Sequence, residues 1–158
     1  MHIACDNIDT LLCVEMRRKG LPRGHKWPIF EIARAMSDRP LVLAAAELLD
    51  RPSMTIGIVT GAAVPDHMPV GENDGPFGAT VLAHTLTRVG HRVSIITDPA
   101  AAAPIEFLVE RLGIDVPVVH LAFNDVAQQE ALAEAHGLLV AIERLGGNAN
   151  GEIHGINA

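Results

Sequence analysis

The spacing of apolar residues changes near residue 54 of the chain. Before this point apolar residues recur every three or four positions, as at Ile29, Ile32, Ala33 and Met36, which is the period of a helix with one buried face. After it, short runs of apolar, often β-branched residues alternate with helical segments. Each run predicts a strand buried in a parallel sheet. The four runs are 55–60, 93–97, 117–121 and 138–142.

Helix caps and helix-breaking residues predict where the helices begin and end. In the first part of the chain, Asp6 or Asn7 is predicted to cap a helix, and Pro28 and Pro40 are predicted to open two more. The segment 41–50 is apolar almost all round, so we expect it to be buried between other elements. In the second part, the predicted helices begin at Pro76, at Pro104 and at Asn124 or Asp125, and they end before Gly90, Gly113 and Gly137.

Strands that alternate with helices of ten or more residues predict parallel β-α-β units with right-handed crossovers. We therefore expect an α/β fold with an open parallel sheet of about four strands, Rossmann-like and three-layered. The chain 1–158 is predicted to form a single domain, with a helical segment over 1–53 and β-α-β units over 54–158. The commonest strand order places the first strand between the second and the fourth, so the loops after the first and fourth strands should meet at one crevice.

Composition narrows the classes of function. The net charge is −7 at pH 7 and the only basic cluster is 17–19, so we expect no nucleic-acid partner. Cys5 and Cys13 match neither a zinc nor a redox motif, and we expect free thiols in a reducing compartment. The first residues lack the features of a secretory signal, and no apolar run reaches membrane-spanning length. We expect a soluble, cytoplasmic protein with no membrane partner.

Carboxylates and turn-forming residues fill the loop between the first strand and the helix after it. Loops of this length in compact domains often carry function. The loop after the fourth strand, which should lie beside it, is rich in glycine and asparagine and begins with one acid and one base. The polar side chains of the two loops that we expect to meet are Asp66, His67, Glu72, Asn73, Asp74, Glu143 and Arg144.

These residue types allow several kinds of chemistry. A helix that begins near Gly75 leaves backbone N–H groups that favour a carboxylate or a phosphate. Arg144 offers a guanidinium that can hold a carboxylate with two hydrogen bonds. Glu72, Asp74 and Glu143 can accept hydrogen bonds from an ammonium group, act as acid or base, or ligate a hard cation. Because crowded carboxylates raise one another's pKa, one of them could hold a proton near neutral pH.

Three well-known catalytic motifs are absent. Gly71, Gly75 and Gly78 do not form G-x-G-x-x-G, and no Lys-Ser or Lys-Thr pair completes a P-loop. No serine lies in a G-x-S-x-G elbow. A hydride-transfer enzyme and a nucleophilic hydrolase are therefore disfavoured.

Motifs from four parts of the chain together resemble one known family. They are VTG at 59–61, GENDGPFGA at 71–79, SIITD at 94–98 and IERLGG at 142–147. With a predicted strand before the second motif and a helix after it, they resemble the D-glutamate cyclase-like domain family, also catalogued as a domain of unknown function. Family members continue into more strands, so the chain resembles the N-terminal half of such a domain or a shortened relative.

Three positions depart from the family's pattern. Asn73 stands where family members often have Thr, Gly147 where an Arg is common, and Asn150 where an Asp is common. The loss of a cation and an acid is expected to weaken substrate binding or to mark a different substrate.

The resemblance implies conversion of D-glutamate to 5-oxo-D-proline and water, a carbon–oxygen lyase reaction, in an intact or degenerate form. No cofactor is implied, although the carboxylates would allow a divalent cation. The expected catalytic residues are Glu72, Asp74 and Glu143. We assign Glu72 or Asp74 to the ammonium group and to proton transfer, and Glu143 and Arg144 to orienting the substrate. The residues expected to contact the substrate are Thr60, Gly61, Asn73, Gly75, Gly78, Arg144 and Asn148.

Two other functions stay open. One is a non-catalytic module that binds a small acidic metabolite or phosphate at the start of the helix. The other is a metal-dependent hydrolase that uses Asp66, His67, Glu72 and Asp74 around a divalent cation. Separately, the fourth strand should be an apolar edge, which predicts a homo-oligomer or a partner that supplies the missing half.

Overall fold

The computed structural model describes residues 2–14, 26–64, 66–122, 124–144, 146, 149–150 and 152. The chain divides into two compact units, Met1–Arg51 and Pro52–Ala158, and we describe each by itself. None of the helices in the described ranges is both long enough and apolar enough to cross a membrane.

The first unit contains three helices, α1 (His2–Leu12), α2 (Lys26–Ala35) and α3 (Leu41–Leu49). Because α1 begins at His2, Asp6 and Asn7 lie inside it, and the prediction that one of them caps this helix is wrong. The residue that acts as a cap is Asp9. Its buried carboxylate accepts hydrogen bonds from the backbone N–H groups of Leu41 at 2.6 Å and Val42 at 2.9 Å, so α1 satisfies the first turn of α3.

The apolar residues of this first unit are buried less than their pattern predicts. Only Leu43 of α3 is buried, so the expectation of a helix buried all round is wrong. The apolar positions Ile29, Ile32 and Met36 at and just beyond α2 are exposed. The spacing of apolar residues correctly predicts helices here, but this spacing alone does not decide how much of a helix other elements bury.

The second unit is the predicted α/β fold. Its four strands form one parallel sheet in the order β3-β2-β1-β4, which confirms the expected order, with β4 at an edge. In chain order the elements are β1 (Thr55–Thr60), α4 (Asp74–Val89), β2 (Arg92–Thr97), a 3-10 turn at Pro99–Ala101, α5 (Ala102–Leu112), β3 (Val118–His120), α6 (Val126–Ala135) and β4 (Leu138–Ile142).

Alternation along β1 assigns the helices to the two faces of the sheet. A Cβ added to Gly57 would lie 3.1 Å from the ring of His136, the C-cap residue of α6. Thr60, three residues on and therefore on the other face, lies beside Gly75 of α4. The core on the α4 side is made by completely buried apolar side chains. These include Ile56, Ile58, Ile95 and Ile105.

Glycine and aspartate end and begin the helices of this unit. Gly90 and Gly113 have φ of 106° and 62°, the left-handed conformation predicted for residues that end α4 and α5. Asp125 caps α6, where its carboxylate accepts a hydrogen bond from the N–H of Gln128 at 2.9 Å. The start of α4 differs from the prediction: the helix begins at Asp74, two residues before Pro76.

Candidate functional site

The loops after β1 and β4 meet at the carboxyl edge of the sheet, as the strand order predicts. They enclose a cavity with an empty volume of about 220 Å³, part of which is open to solvent. The start of α4 and the beginning of α5 complete its wall. The lining residues are Thr60, Gly61, Ala62, Val70, Gly71, Glu72, Gly75, Pro76, Ala101, Ile105 and Glu143.

Close packing at Gly75 brings α4 against the end of β4. A Cβ at this position would lie 3.0 Å from Cβ of Glu143 and 3.1 Å from Oγ1 of Thr60. Both distances are shorter than ordinary van der Waals contacts, so a larger residue at this position would have to push Glu143 or Thr60 aside. Gly75 thus sets the distance between the start of α4 and Glu143.

Glu143 has the only positive φ found outside glycine in the described residues. Its φ is 48°, in the left-handed region, which costs a side-chain-bearing residue free energy. This conformation follows directly after β4 and turns the chain at the edge of the cavity. Non-glycine residues held in this region cluster at functional sites, where the surrounding structure imposes the strain.

The pKa of the Glu143 carboxyl is raised above its ordinary value. Partial burial against the cavity contributes most, since it disfavours the charged form. The negative charges of Asp74 and Glu72 raise this pKa further, as does a side-chain hydrogen bond with Glu72. Carboxyl groups therefore crowd one side of the cavity, and this crowding favours the protonated form of Glu143.

Two threonine hydroxyls beside the loops are buried without a hydrogen-bond partner among the described residues. Thr60 is 0 % exposed and Thr97 is 1 % exposed. They are the last residues of β1 and β2, directly after the register pair Val59 and Ile96, and their side chains lie on the same face. Buried polar atoms without a partner are rare in folded proteins and each calls for an explanation.

Arg144 is held in an ion pair outside this cavity. Its Nη1 lies 2.5 Å from Oδ2 of Asp98, the residue after β2, and both side chains are mostly buried. The pair packs against Gly61, whose φ is 116° and where an added Cβ would meet Thr97 Oγ1 at 2.8 Å and the Asp98 carboxylate at 3.1 Å. Arg144 instead lines a groove on the α6 face of the sheet.

The structure brings together most of the residues that the sequence singled out. Thr60, Gly61, Glu72, Gly75 and Glu143 line the cavity, and Asp74 is near enough to affect the pKa of Glu143. The remaining expected residues lie elsewhere: Asn73 lines an adjoining groove, Gly78 is exposed and faces Ile142, Arg144 pairs with Asp98, and Asn148 lies outside the described residues.

The adjoining groove has an empty volume of about 530 Å³ and is mainly apolar. It shares four residues with the cavity, Val70, Gly71, Glu72 and Pro76, so the two spaces lie side by side along the start of α4. The exposed rings of Phe77 and Phe107 and the side chains of Pro104 and Leu108 form its walls.

The metal-binding hypothesis finds no support in the arrangement of the loop. Asp66 and His67 are exposed and are not among the residues that line the cavity. Across the described part of the chain, no group of three or more His, Cys, Asp or Glu side chains is arranged to hold a metal ion.

The sequence analysis did not predict Thr97 and Asp98 as site residues. They lie at the end of β2, beside the loops after β1 and β4. The signal was available, because SIITD ends at the carboxyl end of a predicted strand next to the first one. The pairing of Asp98 with Arg144 spans 46 positions along the chain, and sequence spacing does not reveal it.

Comparison with known proteins identifies the family. The model of the "D-glutamate cyclase-like, C-terminal" family matches residues 31–158 of the chain. A search of curated proteins finds no matching entry. Because the matching model describes the C-terminal domain of D-glutamate cyclase-like proteins, the expectation of an N-terminal half is wrong. The chain therefore belongs to the D-glutamate cyclase-like, C-terminal family.

Proposed function

We propose that this domain converts D-glutamate to 5-oxo-D-proline and water at the cavity between β1, α4 and β4. Family membership supports the substrate and the reaction class. The observation that carries the proposal is the crowding of Glu72 and Glu143 in one cavity with Asp74 nearby, where partial burial and the neighbouring negative charges raise the pKa of Glu143. Neighbouring carboxyl groups that can serve as acid and base are the groups that lactam formation needs.

The reaction balances without a cofactor. The ammonium nitrogen loses two protons and forms a bond to the carbon of the side-chain carboxyl group. The bond from that carbon to one oxygen breaks, the oxygen keeps the electron pair, and it takes two protons to leave as water. The protein therefore has only to relay protons from the nitrogen to the oxygen and to hold the two reacting groups together.

The carboxyl groups divide these tasks. Glu72 and Asp74 accept hydrogen bonds from the ammonium group, and one of them takes its first proton. Glu143 donates its proton to the departing oxygen, a role that suits a carboxyl group with a raised pKa. Glu72, which lines the same cavity as Glu143, can return the proton, so both groups regain their starting states for the next turnover.

The substrate's carboxylates need partners in an acidic site. We assign one to the Thr60 hydroxyl and the polar backbone at the start of α4, a helix end that favours negative charge. The Gly75 N–H already donates to the Asp74 carboxylate at 3.2 Å, and Pro76 has no N–H. The start of α4 therefore offers a ligand fewer backbone N–H groups than the sequence predicts.

The decisive experiment is incubation of the purified chain with D-glutamate, followed by chiral chromatography for 5-oxo-D-proline. We expect formation of the product with D-glutamate and a much slower reaction with L-glutamate. The variant Glu143→Gln should be inactive, whereas Glu134→Gln on the exposed surface of α6 should match the wild type. No 5-oxo-D-proline above the uncatalysed background would refute the proposal.

A second candidate is a binding module that holds a small acidic metabolite without reaction. The observation that favours it is the ion pair of Arg144 with Asp98, which leaves this predicted substrate-binding cation engaged elsewhere. Calorimetric binding of D-glutamate with no product formed would favour this candidate over the cyclase.

We also propose that the chain self-associates through β4. The strand lies at the edge of the sheet and Leu139 on it is exposed, so its unpaired backbone is open to another chain. Light scattering at high protein concentration should give a mass above 16.8 kDa; a clean monomer would contradict this.

A further inference from the structure

The hydroxyl of Thr60 is the most unusual polar atom of the cavity. The residue is 0 % exposed, and its Oγ1 has no hydrogen-bond partner among the described residues. Leaving such an atom without a partner costs free energy that valine, which has nearly the same shape, would not cost. The atom lines the cavity beside Gly75 and Glu143, so a ligand that enters there would meet it.

The dimensions of the cavity suggest which part of a ligand it would hold. The enclosed part has room for about one water-sized group. The wider and mainly apolar groove beside it shares Glu72 and Pro76 with the cavity wall. A small molecule can therefore place one oxygen atom in the cavity while the rest of it stays outside the enclosed part.

We propose that the enclosed cavity binds the single oxygen of the substrate carboxyl group that departs as water, and that Thr60 is the residue that holds it. This inference rests on the proposed cyclisation for the identity of the substrate. A hydroxyl suits the task because it can donate a hydrogen bond to a carboxylate oxygen and accept one from the water that forms. Glu143, on the rim, supplies the proton as the carbon–oxygen bond breaks and the carbon–nitrogen bond forms.

Thr97 provides a matched control. Its hydroxyl is also buried and without a partner among the described residues, and it follows β2 as Thr60 follows β1. It lies against Gly61, however, and is not among the residues that line the cavity. Any general effect of removing a buried hydroxyl will appear in both variants, and only an effect of contact with the ligand will be confined to Thr60.

The test compares the wild type with Thr60→Val, Thr60→Ser and Thr97→Val. With D-glutamate, we expect Thr60→Val to lower kcat at least about tenfold with a much smaller change in KM, because the lost hydrogen bond forms mainly as the oxygen departs. Thr60→Ser keeps the hydroxyl and should restore kcat to within about threefold. Thr97→Val should match the wild type.

A second measurement does not depend on turnover. Formate, the smallest carboxylate, is titrated while the amide signal of Gly75 is followed by NMR. Saturable shifts should occur in the wild type and in Thr97→Val, and Thr60→Val should weaken formate binding at least about fivefold. If Thr60→Val does not fold, Thr60→Ala replaces it.

The outcomes separate the two proposals. No 5-oxo-D-proline from the wild type, together with Thr60-dependent formate binding, removes the proposed reaction and leaves the oxygen site standing. Formate binding that is absent from the wild type, or equal in Thr60→Val, overturns the oxygen site. Equal kcat in Thr60→Val and the wild type overturns it as well.

Discussion

Two polar clusters lie on opposite faces of the same sheet, and they differ in whether their hydrogen bonds are satisfied. On the α6 face, His136 Nδ1 lies 2.6 Å from the carbonyl oxygen of Leu132, which can only accept, so the proton is on Nδ1. Nε2 must then accept the hydrogen bond that Ser94 Oγ donates at 2.8 Å. On the α4 face, the Thr60 hydroxyl has no partner within the described ranges.

The difference favours a structural role for the cluster on the α6 face and supports the proposed ligand site on the α4 face. Ser94 and His136 resemble a catalytic pair by residue type, yet every polar atom in their contact has a partner and the pair ties the end of α6 to β2. The cavity cluster combines a hydroxyl that has no partner among the described residues, a Glu143 with a positive φ, and crowded carboxyl groups that raise the pKa of Glu143. Such costs persist in a fold where function requires them.

The largest effect that this comparison predicts is on turnover. Glu143→Gln removes the proposed proton donor and should lower kcat for D-glutamate by about 10² to 10⁴. Ser94→Ala removes the hydroxyl of the other cluster and should leave kcat within about twofold, because that face has no part in the proposed reaction. A Ser94→Ala variant as inactive as Glu143→Gln would reverse the assignment of the two clusters.

A second prediction concerns crowding beside the cavity. Gly61 and Gly90 have similar φ values, 116° and 106°, but a Cβ at Gly61 would meet Thr97 Oγ1 at 2.8 Å, whereas nothing lies within 4 Å of one at Gly90. Gly90→Ala should lower the free energy of unfolding by about 1–2 kcal/mol from backbone strain alone. Gly61→Ala should cost about 1–3 kcal/mol more. Urea denaturation measures both; equal losses would mean that Thr97 and the Asp98–Arg144 pair move aside freely.

A third prediction tests the comparison by stability. Ser94→Ala leaves His136 Nε2 without its donor and should lower the free energy of unfolding by about 1 kcal/mol. Thr60→Val removes a hydroxyl that has no partner among the described residues, so it should raise the free energy of unfolding by about 1 kcal/mol. Amide hydrogen exchange in β1 and β2 measures both changes at the strands concerned. Destabilisation by both variants would mean that the Thr60 hydroxyl is satisfied in solution by bound water.

The sheet could be predicted from the sequence because its signals are local. Runs of β-branched residues predict the strands, and the commonest order for such a sheet places the first strand between the second and the fourth, as observed. The carboxylate cluster followed from that order, since the carboxyl ends of parallel strands lie at one edge. Glycine in the left-handed conformation at Gly90 and Gly113 was likewise predictable from the residue type.

The remaining features depend on partners that are distant in sequence. Nothing local in Asp9 indicates that it caps α3, because its carboxylate meets N–H groups 32 and 33 positions on. Neither SIITD nor IERLGG indicates that Arg144 forms an ion pair with Asp98. The positive φ of Glu143 follows from where β4 ends against Gly75, a packing relation that has no signature in residue type.

The smallest predicted effect is on the pH dependence of the free energy of unfolding, in which Glu143 and Asp38 should act in opposite directions. The pKa of Glu143 is raised in the folded protein, so the contribution of this group to stability is complete below the ordinary value of 4.5 and is lost as pH rises through the higher folded pKa. The pKa of Asp38 is lowered, chiefly by its hydrogen bond with Arg39, so its contribution is present above 3.8 and is lost as pH falls through the lower folded pKa.

The variants Glu143→Gln and Asp38→Asn should therefore separate from the wild type in opposite directions. Relative to Glu143→Gln, the wild type should lose stability as pH rises above 4.5; relative to Asp38→Asn, it should lose stability as pH falls below 3.8. Urea denaturation at a series of pH values measures both differences. A difference between wild type and Glu143→Gln that is constant above pH 4.5 would mean that Glu143 holds no proton beyond its ordinary range. In that case the cavity would lack its acid, and the two clusters would differ only in geometry.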